Sequence, residues 1–130
     1  MYRWVEHTGE LELEIGAQTA EDVFAEALAA LAELLEDDRA GPPQRRRLVV
    51  RADDRPALLA AWLDELVFLA ETEGLIAERV EELTLGDTGL RALVTARAGE
   101  PPHLVKAVTY HRLELAEHQD GWRGRAVLDV

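Results

Sequence analysis

The chain opens on a period of two. Leu11, Leu13 and Ile15 fall on one face and Glu10, Glu12 and Glu14 on the other, which predicts a half-buried β-strand. "YRWVEH" before it reads as a short extension, with Thr8 and Gly9 as a turn or bulge, and Gly16 ends the run. From Thr19 the period lengthens. Val23, Phe24, Ala27, Leu28, Leu31, Leu34 and Leu35 recur at helical spacing, after Thr19 as N-cap and with Glu21 and Asp22 near the positive helix end. "DDRAGPPQ" predicts a loop, because Gly41 and two prolines stop a helix.

A short strand follows over Leu48–Ala52, and then a second helix. That helix is capped by Asp53 or Asp54, carries Pro56 in its first turn, buries Leu58, Leu59, Trp62, Leu66 and Leu69, and stops at Gly74. The remainder alternates as strands. "LIAERVEELTL" and "LRALVTARA" flank the turn "GDTG", "GEPPH" breaks the next connection, and "VKAVTYHRLELAEH" pairs with "WRGRAVLDV" across Asp120–Gly121. The predicted fold is therefore α+β. Its order is β-α-β-α followed by a four-strand antiparallel meander, with two helices packed on one face of a mainly antiparallel sheet. All 130 residues fit one domain, and no internal repeat is visible.

Charge and composition narrow the functional classes. A net charge of −12 repels phosphate backbones, so no direct nucleic-acid binding is expected. Arg45–Arg47 form the only dense basic run, read here as a solvated loop end. No apolar run is long enough for a membrane span, and the N-terminal stretch lacks the pattern of a secretory signal, so a cytoplasmic protein is expected. With no cysteine and no serine, disulfides, thiolate metal sites and the usual nucleophiles are absent. No glycine-rich loop joins a strand to a helix as a phosphate cradle, and the four histidines lack zinc-protease spacing.

One segment, "VKAVTYHRLEL", carries polar residues inside an apolar strand pattern, including Lys106, the only lysine. Its odd positions, from Val105 to Leu115, look like the core face and take His111 with them; its even positions carry Lys106 to the other face. By the same parity Asp129 leaves the face that buries Leu128, and Glu10 leaves the face of Leu11 and Leu13. Glu10, Lys106 and Asp129 are thus expected on the non-core face of one sheet. The residues alone leave two readings of that grouping, a salt-bridged surface or a binding site.

Four stretches in order, "EHTGELELEI", "WLDELVFLAETEGL", "VKAVTYH" and "GWRGRAVLDV", together resemble the archease family over nearly the whole chain. The resemblance implies a single archease-like domain and an accessory protein, not an enzyme. Its partner would be an RtcB-type RNA ligase, which uses GTP and divalent metal in tRNA splicing, tRNA processing or RNA repair. The implied activity is to promote guanylylation of the ligase's histidine and to sustain multiple turnover. The family's metal site maps onto Glu10, Asp129 and Val130, the last through its backbone or terminal carboxylate, and the family lysine maps onto Lys106. His7 and His111 are candidates for site support, with stacking of His7 on Tyr2 or Trp4, and burial of His111, as the alternatives. Oxygen ligands suit Ca²⁺ first, with Mg²⁺ or Mn²⁺ next, better than zinc. Glu10 stands where the family usually has aspartate, one methylene longer. The competing readings are a metal-dependent phosphoester hydrolase using the same carboxylates, and a chaperone-like acidic binding module.

Overall fold

The structure is a computed structural model and describes residues 1–35, 40–100 and 104–130. Seven strands and two helices follow one another as β1 (Tyr2–His7), β2 (Glu10–Ala17), α1 (Ala20–Leu34), β3 (Ala40–Arg51), α2 (Arg55–Glu73), β4 (Leu75–Leu85), β5 (Gly89–Ala98), β6 (Ala107–His118) and β7 (Gly121–Asp129). The strands form two antiparallel sheets. One has the order β1-β2-β7-β6 and the other β3-β5-β4. The α+β class and the antiparallel pairing are as expected. The last four strands, however, do not make one meander: the hairpin β4–β5 joins β3, while the hairpin β6–β7 joins β1–β2. Periodicity cannot distinguish these arrangements, because it reports which residues are buried and not which strand lies alongside.

Both helices pack against strands of both sheets and form the layer that joins them. Thr19 caps α1 by accepting the Asp22 N–H at 3.1 Å, and Asp54 caps α2 by accepting the Ala57 N–H at 2.8 Å. Gly74 ends α2 in the left-handed region at φ 65°. The helices meet at Trp62, which is fully buried, donates its indole N–H to the Phe24 carbonyl at 2.9 Å, and packs edge-on against the Phe24 ring. That hydrogen bond lets a large ring enter the core without leaving a polar atom unsatisfied. Gly124 on β7 allows the close approach of the helix layer, since a Cβ there would lie 2.7 Å from a Val23 methyl and 3.3 Å from a Leu59 methyl.

Two local expectations change. The predicted loop partly disappears: Asp37–Arg39 lie outside the described residues, but Ala40–Gln44 begin β3, with a register shift between Ala40 and Gln44 that spans Pro42 and Pro43. Prolines are tolerated there because β3 is an edge strand, where a missing N–H costs no ladder bond on the open side. "YRWVEH" is a full strand, paired with β2 from Tyr2–Ile15 to His7–Glu10. Of "GEPPH", Pro101–His103 lie outside the described residues.

Candidate functional site

Pairing brings residues from both ends of the chain into one row at an end of the four-stranded sheet. His7 on β1 stands opposite Glu10 on β2, Glu10 opposite Asp129 on β7, and Asp129 opposite Ala107 on β6. Residues directly opposite share a sheet face, with Cβ atoms about 4.5–5.5 Å apart. The next row, Leu11–Leu128–Val108, turns to the helices, and Leu128 is fully buried. Glu10 and Asp129 therefore project from the side away from the helix layer, as their parity predicts. The Val130 N–H donates to the Gly9 carbonyl at 3.1 Å, which ties the end of β7 to the β1–β2 turn.

On β6 the parity expectation fails. Thr109 pairs with Val127 and Glu114 with Arg125, so the four residues Tyr110–Leu113 stand opposite Ala126 alone. Three extra residues are an odd number, and an odd insertion exchanges the two faces of everything before it. Val108, expected outside, pairs with buried Leu128 and packs against the core; Ala107 and Thr109, expected inside, share the outer face with Asp129 and Val127. His111 lies within the insertion. It is exposed and not a core residue, and its backbone N–H donates to the Thr109 hydroxyl at 3.2 Å.

Lys106 reaches the same neighbourhood by a different route. It precedes β6, and its backbone N–H donates to the Asp129 carbonyl at 2.8 Å, while Ala107 is Asp129's register partner. Two consecutive residues thus stand beside one, and Lys106 sits exposed next to the Glu10–Asp129 row. Its ammonium makes no ion pair with a described residue, so the contact with Asp129 is through the backbone.

The insertion also builds a cluster that strand parity did not single out. Arg112 takes a positive φ of 55° and forms an ion pair with Glu12, which is only 5% exposed. His7 Nε2 lies 3.3 Å from the same carboxylate oxygen and 3.4 Å from the Arg112 guanidinium. The Arg112 carbonyl accepts the Arg125 Nε–H at 3.0 Å, and Arg125 also binds Glu114 at 3.1 Å. Val127 is fully buried on this outer face yet stands apart from the main core. His7, itself in the Glu10–Asp129 row, is thereby engaged with Glu12, two rows further along the same face, and with Arg112. The sequence signal for Glu12 was its membership of the Glu10–Glu12–Glu14 face, but nothing local marks it as the buried one.

Glu10 and Asp129 make no hydrogen bond or ion pair with another described residue through their side chains. Two carboxylates held opposite one another repel, and a cation between them would relieve that cost. Oxygen donors of this kind suit a hard divalent ion. Among the described residues no group of three His, Asp or Glu side chains is arranged to hold a metal. A third oxygen of the expected set would therefore have to come from Val130 through its main chain.

Residues 2–130 match the profile of the archease protein family (MTH1598/TM1083). The archease of Pyrobaculum islandicum is 32% identical over 139 aligned residues, covering 99% of this chain and 95% of that one. The archease of Methanopyrus kandleri is 32% identical over 136, covering 97% and 96%. Among solved structures, protein 1598 of Methanobacterium thermoautotrophicum superposes with a TM-score of 0.69 at 25% identity, covering 99% of this chain and 98% of that chain. An archease from Thermotoga maritima, described as a possible chaperone, shares the fold with a TM-score of 0.69 at 20% identity, over 100% and 98% of the two chains.

Proposed function

The chain belongs to the archease family, and from that premise we propose that it activates an RtcB-type, GTP-dependent RNA ligase in tRNA splicing or RNA repair. It promotes guanylylation of the ligase's histidine and repeated turnover, and makes no phosphodiester bond itself. The observation that carries this reading is the pairing of Glu10 with Asp129, two carboxylates that engage no other described residue, at one end of the sheet beside the chain's only lysine.

Glu10, Asp129 and an oxygen of Val130 are the proposed ligands of a divalent cation, Ca²⁺ first and Mg²⁺ or Mn²⁺ next. Such an ion supplies concentrated positive charge that carboxylate or phosphate oxygens can share. The chain's own residues do the rest. The Gly9–Val130 and Lys106–Asp129 backbone bonds fix where the two carboxylates stand. Lys106, free of any ion pair with a described residue, is placed to meet an oxyanion of the ligase's active site. The buried Glu12 carboxylate, paired with the half-exposed Arg112 and with His7 against it, stiffens the adjoining part of the sheet.

The test is ligase guanylylation with a cognate ligase, GTP and Mn²⁺, with and without this protein. Stimulation by the wild type and its loss in Asp129→Ala are expected; no stimulation, or equal stimulation by the variant, would overturn the reading. Ligase binding that survives the combined loss of Glu10, Lys106 and Asp129 would instead favour a chaperone-like binding module.

A further inference from the structure

The outer face of the three-stranded sheet carries a charge opposite to that of the molecule. On β3, Leu48 and Val50 are buried, so Arg47, Val49 and Arg51 point outward, and on β5 the burial of Leu90 and Ala92 turns Arg91 outward. Register sets Val49 opposite Arg91. Val49 is 58% exposed and is flanked along its strand by Arg47 and Arg51, each about 7 Å away at two residues' rise. None of these three arginines makes an ion pair or hydrogen bond with another described residue, although the protein carries 26 acidic residues against 14 basic ones. Arg46, by contrast, binds Glu73 at 3.1 Å, and Arg79 binds Glu81 at 2.7 Å. The face forms a shallow groove of about 500 Å³, with Leu93 beside Arg91 on the central strand and Glu82 and Thr84 on the far strand β4.

Protection of a sheet edge accounts for charges on β3, because an edge strand studded with cations resists pairing with other chains. It does not account for Arg91, which lies on the central strand β5. Three like charges gathered round an apolar side chain repel one another, and anionic groups placed over them would remove that cost.

We infer that this face binds an extended acidic segment of a partner protein, one with carboxylates two residues either side of an apolar side chain. The spacing carries the choice. Along an extended peptide, residues i, i+2 and i+4 share a face at about 7 Å intervals, so a Glu-x-Leu-x-Glu strand sets Leu on Val49 and its carboxylates over Arg47 and Arg51. Guanidinium groups bind carboxylates through paired N–H donors. A nucleic-acid strand fits less well: the groove has no aromatic ring for base stacking, Glu82 lies on its rim, and a net charge of −12 opposes a long polyanion.

The experiment uses the full chain and three probes: a labelled peptide containing Glu-Thr-Leu-Thr-Glu, its Gln-Thr-Leu-Thr-Gln counterpart, and single-stranded oligouridylate. Fluorescence anisotropy reads binding, and backbone NMR shifts locate it. The Glu peptide is expected to bind, shifting Val49 and Arg91 amides, and to bind about tenfold more tightly than the Gln peptide. Arg91→Gln should weaken the Glu peptide several-fold. Arg47→Glu with Arg51→Glu should reverse the preference toward a Lys-Thr-Leu-Thr-Lys peptide, a gain that misfolding cannot imitate. Equal binding of the Glu and Gln peptides, shifts elsewhere on the surface, or tighter binding of oligouridylate at this face would each overturn the proposal.

Discussion

The two outer sheet faces solve the same problem in opposite ways. The four-stranded sheet covers and neutralises itself: the β6 insertion folds Arg112 over Glu12 and buries Val127, while Arg3–Glu14 and Arg125–Glu114 pair across neighbouring strands. The end row of Glu10, Asp129 and Lys106 finds no such partner among the described residues. The three-stranded sheet leaves its centre open, with Arg47, Arg51 and Arg91 around an exposed Val49 and without a partner among the described residues. Charge alone therefore says little about function. What distinguishes a structural carboxylate such as Glu12 from a candidate ligand such as Glu10 is whether the fold supplies a partner.

The shared helix layer is the first place to break this contrast. Trp62→Ala should cost about 3–5 kcal/mol in urea unfolding, because it empties the junction on which both sheets rest. Both faces should then open together in hydrogen exchange, and retention of one sheet alone would show that the layers are independent. Next comes the covered face. Glu12→Ala strips the partner from Arg112 and should cost about 1–3 kcal/mol, reduced by the partial exposure of the guanidinium. Faster exchange should be confined to β6 and its neighbours while β3–β5 keep their protection; uniform loss would deny a local role.

The open face should respond least in stability. Arg91→Gln should change unfolding free energy by no more than about 0.5 kcal/mol, since no described partner is lost. A loss above that would mean the guanidinium has a structural partner. The smallest effect concerns pH. Tyr2 donates its hydroxyl to Glu33 at 2.6 Å, and that bond, more than burial or charge, pushes its pKa up to about 12. An unfolded tyrosine ionises near pH ~10, so between the two values the unfolded state loses its proton first. Tyr2's contribution is present below pH ~10 and fades as pH rises toward about 12. Tyr2→Phe should flatten that alkaline decline in a pH series of melting temperatures, and an unchanged slope would assign it to other groups.

Much was legible from local pattern. Thr19 and Asp54 cap as expected because an N-cap oxygen needs only the N–H groups of its own first turn. The stripes of α1 and α2 are buried as their period required, apart from Leu34, which is half-buried at the end of α1. Parity carried Glu10 and Asp129 to the outer face because β2 and β7 pair without a register break. It failed on β6, where "TYHRLE" offers no glycine or proline to announce an insertion. Local sequence thus determined the helices, their caps, most of the strands and which side of β2 and β7 the carboxylates leave. Tertiary structure alone decided that the two hairpins belong to different sheets, that His111 is exposed while Glu12 is buried, and that three arginines gather round Val49 with no partner among the described residues. The reason is physical: periodicity and capping depend on residues a few positions apart, whereas strand partner, register and counter-ion are fixed by contacts between distant segments.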